Sequence, residues 1–205
     1  IVFSSSATIY GLSNNKPLLE DSPINPINPY GRNKVVIEQL LKNIYDSSPE
    51  KWRIANLRYF NPIGAHETGL MGESPIVPYN IMPIIADVLM ERKEFLDIYG
   101  DDYPTNDGTC VRDYLHVQDL VEGHLAALSY LKENTGFSAF NLGSGAGTSV
   151  IELIRKFEEV TGKKIPIEFS ARRPGDVSVL YTSPNKALKI LNWKTKRDLN
   201  QMCED

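Results

Sequence analysis

Ile1-Val2-Phe3-Ser4-Ser5-Ser6-Ala7-Thr8, followed after a proline-rich loop by Asn28-Pro29-Tyr30-Gly31-Arg32-Asn33-Lys34, decides how this chain is read. The first stretch is apolar for three residues and then turns to small hydroxyl side chains, as a buried strand ending in a turn does. The second opens a helix, because asparagine can cap the free first-turn amides and proline is tolerated at the first helical position. That helix is expected to carry Ile37, Leu40, Leu41 and Ile44 on one face. Downstream the alternation continues with a strand at 54–60 closed by Asn61-Pro62, a long loop to Pro78, and a helix at 81–92. A strand at 95–99, a helix at 117–132 and a strand at 140–142 follow. Ser149-Val150-Ile151-Glu152 is a capping box for a helix that Gly162 ends. Residues 165–169 read as strand, 185–191 as a short helix behind Ser183-Pro184, and 201–205 as helix. Strands alternating with helices predict an α/β fold.

The 205 residues are 41% hydrophobic and 23% charged, a globular balance with room for a core of ordinary size. A net charge of −4 and no lysine-arginine block argue against a nucleic-acid partner. No apolar run has the length of a membrane span and nothing at the start reads as a signal peptide, so a cytoplasmic setting is expected. Cys110 and Cys203 form no CxxC pattern and read as reduced structural thiols. His66, His116 and His124 are not at metal-ligand spacings. The apolar start lacks an initiator methionine and a pairing partner upstream, which is read as a chain beginning mid-domain.

Chemistry is best sought at Tyr30 and Lys34, which share one helix face a turn apart. A phenol is a poor base at neutral pH, and a nearby ammonium favours its ionised form. The serine turn lies at the end of a strand, where open α/β sheets bind ligands. A second candidate, Gly143-Ser144-Gly145-Ala146-Gly147, lies between strand and helix with Glu168 in the next strand. It imitates a dinucleotide loop, but the third glycine of G-x-G-x-x-G falls on Thr148, so the phosphate loop is wrong.

Taken together, Phe3-Ser-Ser-Ser-Ala-Thr8, Asn28–Lys34, Leu57-Arg-Tyr-Phe-Asn-Pro62, Gly64-Ala-His66, Asp102-Tyr-Pro-Thr105, Asp107-Gly-Thr109, Val111–Val117, Asn141–Gly145 and Arg172-Arg-Pro-Gly-Asp176 span nearly the whole chain. In these motifs the sequence resembles the extended short-chain dehydrogenase/reductase family and, within it, the UDP-galactose 4-epimerases. The resemblance implies a Rossmann-type doubly wound parallel sheet, its N-terminal part and glycine fingerprint missing, with a smaller α/β substrate domain. Residues 1–62 and 112–142 would belong to the NAD-binding part, 63–111 and 143–205 to the UDP-sugar part. It implies NAD as cofactor, a UDP-sugar as substrate and a homodimer when complete. Tyr30 would be the base and acid, Lys34 would hold the nicotinamide ribose, and Ser6 would assist at the 4-hydroxyl. Tyr59 and Phe60 would line the nicotinamide. Asn61, Asn80 and Ile81 would contact the diphosphate or sugar, and Asp97, Ile98 and Tyr99 would flank the uracil. Arg112 and Arg173 would bind the diphosphate, Asp176 the uridine ribose, and Leu180 would wall the hexose pocket. A 4,6-dehydratase or decarboxylase of the same superfamily is the rival, but the positions where dehydratases carry an Asp-Glu pair hold Ala7 and Thr8. A non-catalytic sugar-nucleotide sensor is the other rival. Sensors can dispense with the tyrosine–lysine pair present here. Asn33 replaces the usual Ser or Thr before the lysine.

Overall fold

The computed structural model describes residues 1–11 and 16–205. In chain order, β1 (Val2–Ser4) runs into a 3-10 turn (Ala7–Ile9), then α1 (Pro29–Ser47), β2 (Arg53–Tyr59) and β3 (Asn61–Ile63). After the long loop come α2 (Ile81–Leu89), β4 (Leu96–Tyr99), β5 (Val111–His116), α3 (Val117–Glu133) and β6 (Gly136–Leu142). The last part holds β7 (Gly147–Ser149), α4 (Val150–Thr161), β8 (Ile167–Ser170), β9 (Val179–Leu180), α5 (Asn185–Leu191) and α6 (Leu199–Glu204). Among the described residues no helix is long and apolar enough to cross a membrane.

The α/β expectation holds. β1, β2 and β6 form a parallel sheet in that order, with Val2 opposite Ala55 and Leu57 opposite Phe140. A second sheet pairs β5 with β3 and β9 in parallel and with β7 antiparallel, and β4 pairs with β8 in parallel. The chain changes sheet at Phe60, the single residue between β2 and β3. Two apolar cores result. One gathers Leu57, Phe140, Ala127, Leu191 and Trp193 around the first sheet. The other packs α2, α4 and α6 against β4 and β5 through Ile85, Leu153, Phe157 and Met202. β5 joins them, because alternate side chains of a strand face opposite ways: Tyr114 enters the second core and Leu115 the first.

Several sequence expectations change. β5 shows no strand pattern in the sequence, since Arg112, Asp113 and His116 break its apolar alternation; the latter two are buried with polar partners instead. β3, β7 and β9 are too short for a periodic signal. α2 stops at Leu89 because Glu91 takes a left-handed turn (φ 59°), and the amides of Arg92 and Lys93 fold back onto the carbonyl of Asp87. On α1 the inward face runs through Gly31, Glu38 and Leu41, while Ile37 and Leu40 are exposed, the latter 56%.

Glu38 is inward because it meets Arg58. The guanidinium donates from Nη2 to Glu38 Oε2 at 2.7 Å and from Nε to Oε1 at 3.0 Å, with both side chains 7% exposed. Ser5 Oγ donates to the same carboxylate at 2.5 Å, and Arg58 Nη1 donates to the Tyr10 hydroxyl at 3.0 Å and the Glu20 carbonyl at 2.9 Å. Tyr10 in turn donates to Asn141 Oδ1 on β6 at 2.6 Å, and burial pushes its phenol up to about 12. Arg58→Ala would leave the Glu38 carboxylate buried and unpaired, and should cost about 3–5 kcal/mol in urea denaturation. A double Arg58→Met, Glu38→Leu variant should lose far less, because no lone charge remains.

Candidate active site

α1 is seated directly on the turn that follows β1. The Asn28 side chain accepts from the Gly31 amide at 2.8 Å, as the sequence predicts for an N-cap. A Cβ on Gly31 would stand 2.6 Å from the Thr8 carbonyl oxygen, so glycine is what allows this approach. Tyr30 is half exposed. Lys34 Nζ donates to the Ser4 carbonyl at 2.7 Å and lies 5.2 Å from the Phe3 ring centre and 5.3 Å from that of Tyr30. Ser6 is buried and accepts from the Thr8 amide and hydroxyl at 3.3 and 3.0 Å. Tyr59 is half-buried beside His124, with ring centres 6.1 Å apart, and Phe60 is buried at the change of sheet.

Nine of the ten residues assigned to the sugar nucleotide line one cavity of about 170 Å³: Asn61, Asn80, Ile81, Asp97, Ile98, Tyr99, Arg112, Arg173 and Asp176. They come from β3, α2 and its N-cap Asn80, β4, β5 and the loop before β9. Arg173 stacks its guanidinium 4.6 Å from the centre of the Tyr99 ring and donates from Nε to Asp176 Oδ2 at 3.0 Å. Arg112 Nη2 lies 3.8 Å from the other Asp176 oxygen, and Nη1 is fixed by the Val177 carbonyl at 2.7 Å. Lys93 neutralises Asp97 at 2.8 Å. Two guanidinium groups around one carboxylate, with an aromatic face alongside, suit an anion attached to a flat ring.

Leu180 is the exception. It does not line this cavity; it is buried in the first core, on the strand paired with Arg112. The cavity also takes Tyr79, Ile84, Leu96, Cys110, Tyr114 and Val150, which the sequence reading missed. Tyr79 and Cys110 adjoin motif residues, but nothing in the sequence marks Val150 beyond its place in a capping box. Tyr114 is driven up to about 12 by burial, so it stays neutral. A larger hollow of about 760 Å³ between α2, α4 and α6 is mostly apolar and includes only Asn80 of the assigned residues.

The glycine run 143–147 is occupied by protein. Asp113 accepts from the Ser144 amide and hydroxyl at 2.7 and 2.6 Å, from the Gly145 amide at 3.0 Å and from the Thr182 amide at 3.1 Å. Burial raises the Asp113 carboxyl above its usual range while these donors pull the other way. The loop therefore wraps a carboxylate and offers no cradle for a phosphate, as the misplaced third glycine indicates. For a dinucleotide cofactor the donors that fit are the ammonium, phenol and hydroxyl of Lys34, Tyr30 and Ser6, which suit a ribose diol and a reacting oxygen.

The family model described as GDP-mannose 4,6 dehydratase matches residues 1–205. The chain belongs to that family. It is 49% identical, over its whole length, to a UDP-glucose 4-epimerase of Bacillus subtilis and 50% identical to one of Cyamopsis tetragonoloba. It covers 60% and 59% of those proteins, so it spans about 60% of the length of the curated relatives it matches. Among solved structures it overlays, over its full length, on a UDP-glucose 4-epimerase of Stenotrophomonas maltophila with bound NAD and formylated UDP-arabinopyranose (TM-score 0.96, 46% identity, 61% of that chain). The Bifidobacterium longum enzyme in complex with NAD+ and UDP gives a TM-score of 0.95 at 44% identity, again over all of this chain and 61% of the other.

Gly31→Ala tests how α1 is seated. A helical glycine replaced by alanine normally gains about 1 kcal/mol. Here the clash with the Thr8 carbonyl should reverse the sign and cost about 1–3 kcal/mol in urea denaturation. A gain in stability would show that α1 does not rest on the 3-10 turn.

Proposed function

We propose that the protein carrying this chain is an NAD-dependent isomerase that interconverts UDP-glucose and UDP-galactose at C4. What supports this most is the convergence of nine residues, spread from Asn61 to Asp176, on one cavity whose charges suit a uridine diphosphate. The likeness to epimerases holding NAD and UDP supports it as well. Tyr30 takes the proton of the sugar 4-hydroxyl and later returns it, with Lys34 one helical turn away and Ser6 hydrogen-bonding the same oxygen. Arg112 and Arg173 hold the diphosphate while Asp176 receives the uridine ribose. Asn61, Asn80 and Ile81 contact the sugar side, and Asp97, Ile98 and Tyr99 flank the uracil. Bound NAD supplies the hydride acceptor and donor, and Tyr59 and Phe60 line its nicotinamide. A 4,6-dehydratase activity is disfavoured, because Ala7 is buried and the Thr8 hydroxyl is bonded to Ser6, leaving no acid–base pair there.

In this reading residues 1–62 and 112–142 serve the cofactor, and 63–111 and 143–205 serve the sugar nucleotide. The outward Val36, Ile37 and Leu40 of α1 favour a homodimer, and the free buried thiols of Cys110 and Cys203 favour a cytoplasmic setting. With the protein at the length of its relatives, purified enzyme should convert UDP-galactose to UDP-glucose with NAD bound. Tyr30→Phe should lower kcat by about 10²–10⁴-fold and leave UDP affinity unchanged. Turnover within a few-fold of the parent would remove Tyr30 from the role of base.

A further inference from the structure

Ser4 is the last residue of β1, and two helices hold it from opposite sides of the strand. Successive side chains of a strand point to opposite faces. Phe3 and Ser5 accordingly meet α1, through Lys34 and Glu38, whereas Ser4 points to α3. There its Oγ lies 3.0 Å from His124 Nε2. His124 Nδ1 is 2.9 Å from the Leu120 carbonyl, which can only accept. The proton of the neutral ring is therefore on Nδ1, and Nε2 accepts from the Ser4 hydroxyl. On the other side the Ser4 carbonyl accepts from Lys34 Nζ at 2.7 Å, and that ammonium sits 5.3 Å from the Tyr30 ring centre.

We propose that His124 is a positioning residue for the Tyr30–Lys34 pair, acting through Ser4. The base role of the pair rests on the epimerase reading above; the clasp itself rests on the hydrogen bonds. A strand's terminal residue has its peptide fixed on one side only by the ladder, and Ser4 pairs with Leu57 at the very end of its register. The bond from α3 fixes its side chain, so its carbonyl stays aimed at Lys34. Without it Ser4 can turn, Lys34 loses its acceptor, and the ammonium moves away from the phenol. Displacements of about 1 Å in such a site cost on the order of 10²-fold in rate. His124 touches neither reacting oxygen nor cofactor in this scheme, so binding of the sugar nucleotide should be spared.

The test uses the full-length protein with Ser4→Ala, His124→Leu, His124→Gln and the Ser4→Ala/His124→Leu double variant. Gln places an acceptor near the position of Nε2. Ser4→Ala and His124→Leu should each lower kcat about ten- to a hundredfold, with KM for UDP-galactose within about twofold of the parent. The double variant should be no worse than either single one, since both cut the same link, and His124→Gln should recover most of kcat. Ser4→Ala removes a single hydroxyl and reads the link even if His124→Leu folds poorly. Folded variants whose kcat matches the parent overturn the proposal, as does a kcat loss that His124→Gln fails to rescue. Nitrogen NMR of His124 should show the Nδ1–H form, with the Nε2 signal moving in Ser4→Ala. An inactive parent whose His124 signal still responds would sink the proposed function and leave the clasp standing; an unresponsive signal would sink the clasp.

Discussion

The buried ion pair between Arg58 and Glu38 is the constraint from which the placement of Tyr30 and Lys34 follows. It joins the middle strand of the first sheet to α1, and through Tyr10, Glu20 and Asn141 it draws the segment after β1 onto β6. Two charges at 7% exposure are a poor source of net stability, because desolvation offsets much of their attraction. Their geometry is specific, however. Five hydrogen bonds around the pair satisfy both groups in one arrangement of helix, strand and turn. Burial pulls the Arg58 guanidinium toward neutrality, but its bonds to Glu38 and Tyr10 outweigh that and keep it charged. Tyr30 and Lys34 are carried about two turns and one turn from Glu38 on the same helix, so fixing Glu38 fixes them.

A second carboxylate organises the other half of the site. Asp113 lies in β5, the strand whose neighbours in sequence, Arg112 and Tyr114, line the cavity and whose next residue, Leu115, belongs to the first core. By gathering amides from the 143–147 loop and from Thr182, it closes both segments onto β5. Gly143 is required at this contact, since a Cβ there would stand 2.6 Å from Asp113 Oδ2. The glycines that imitate a phosphate loop thus serve close packing around a protein carboxylate. Arg112 and Arg173 meanwhile share Asp176, so the cationic groups of the cavity are oriented by one acid before any ligand arrives. An arrangement of that kind reduces the ordering that binding an anion would require.

The sequence by itself determined the α/β alternation, the Asn28 cap, the capping box at Ser149 and the Gly162 helix end, because each depends on contacts within a few residues. It also brought Tyr30 and Lys34 onto one face, since helical periodicity alone requires it. Only the tertiary structure decided which face of α1 turns inward: Glu38 reads as solvated until Arg58, twenty residues on, is seen to neutralise it. The same holds for β5, whose buried Asp113 and His116 erase the apolar pattern a strand should show. Short strands, buried charges and cavities all depend on partners remote in sequence. Local propensity carries no record of those partners, and the energy that selects them arises only when the segments meet.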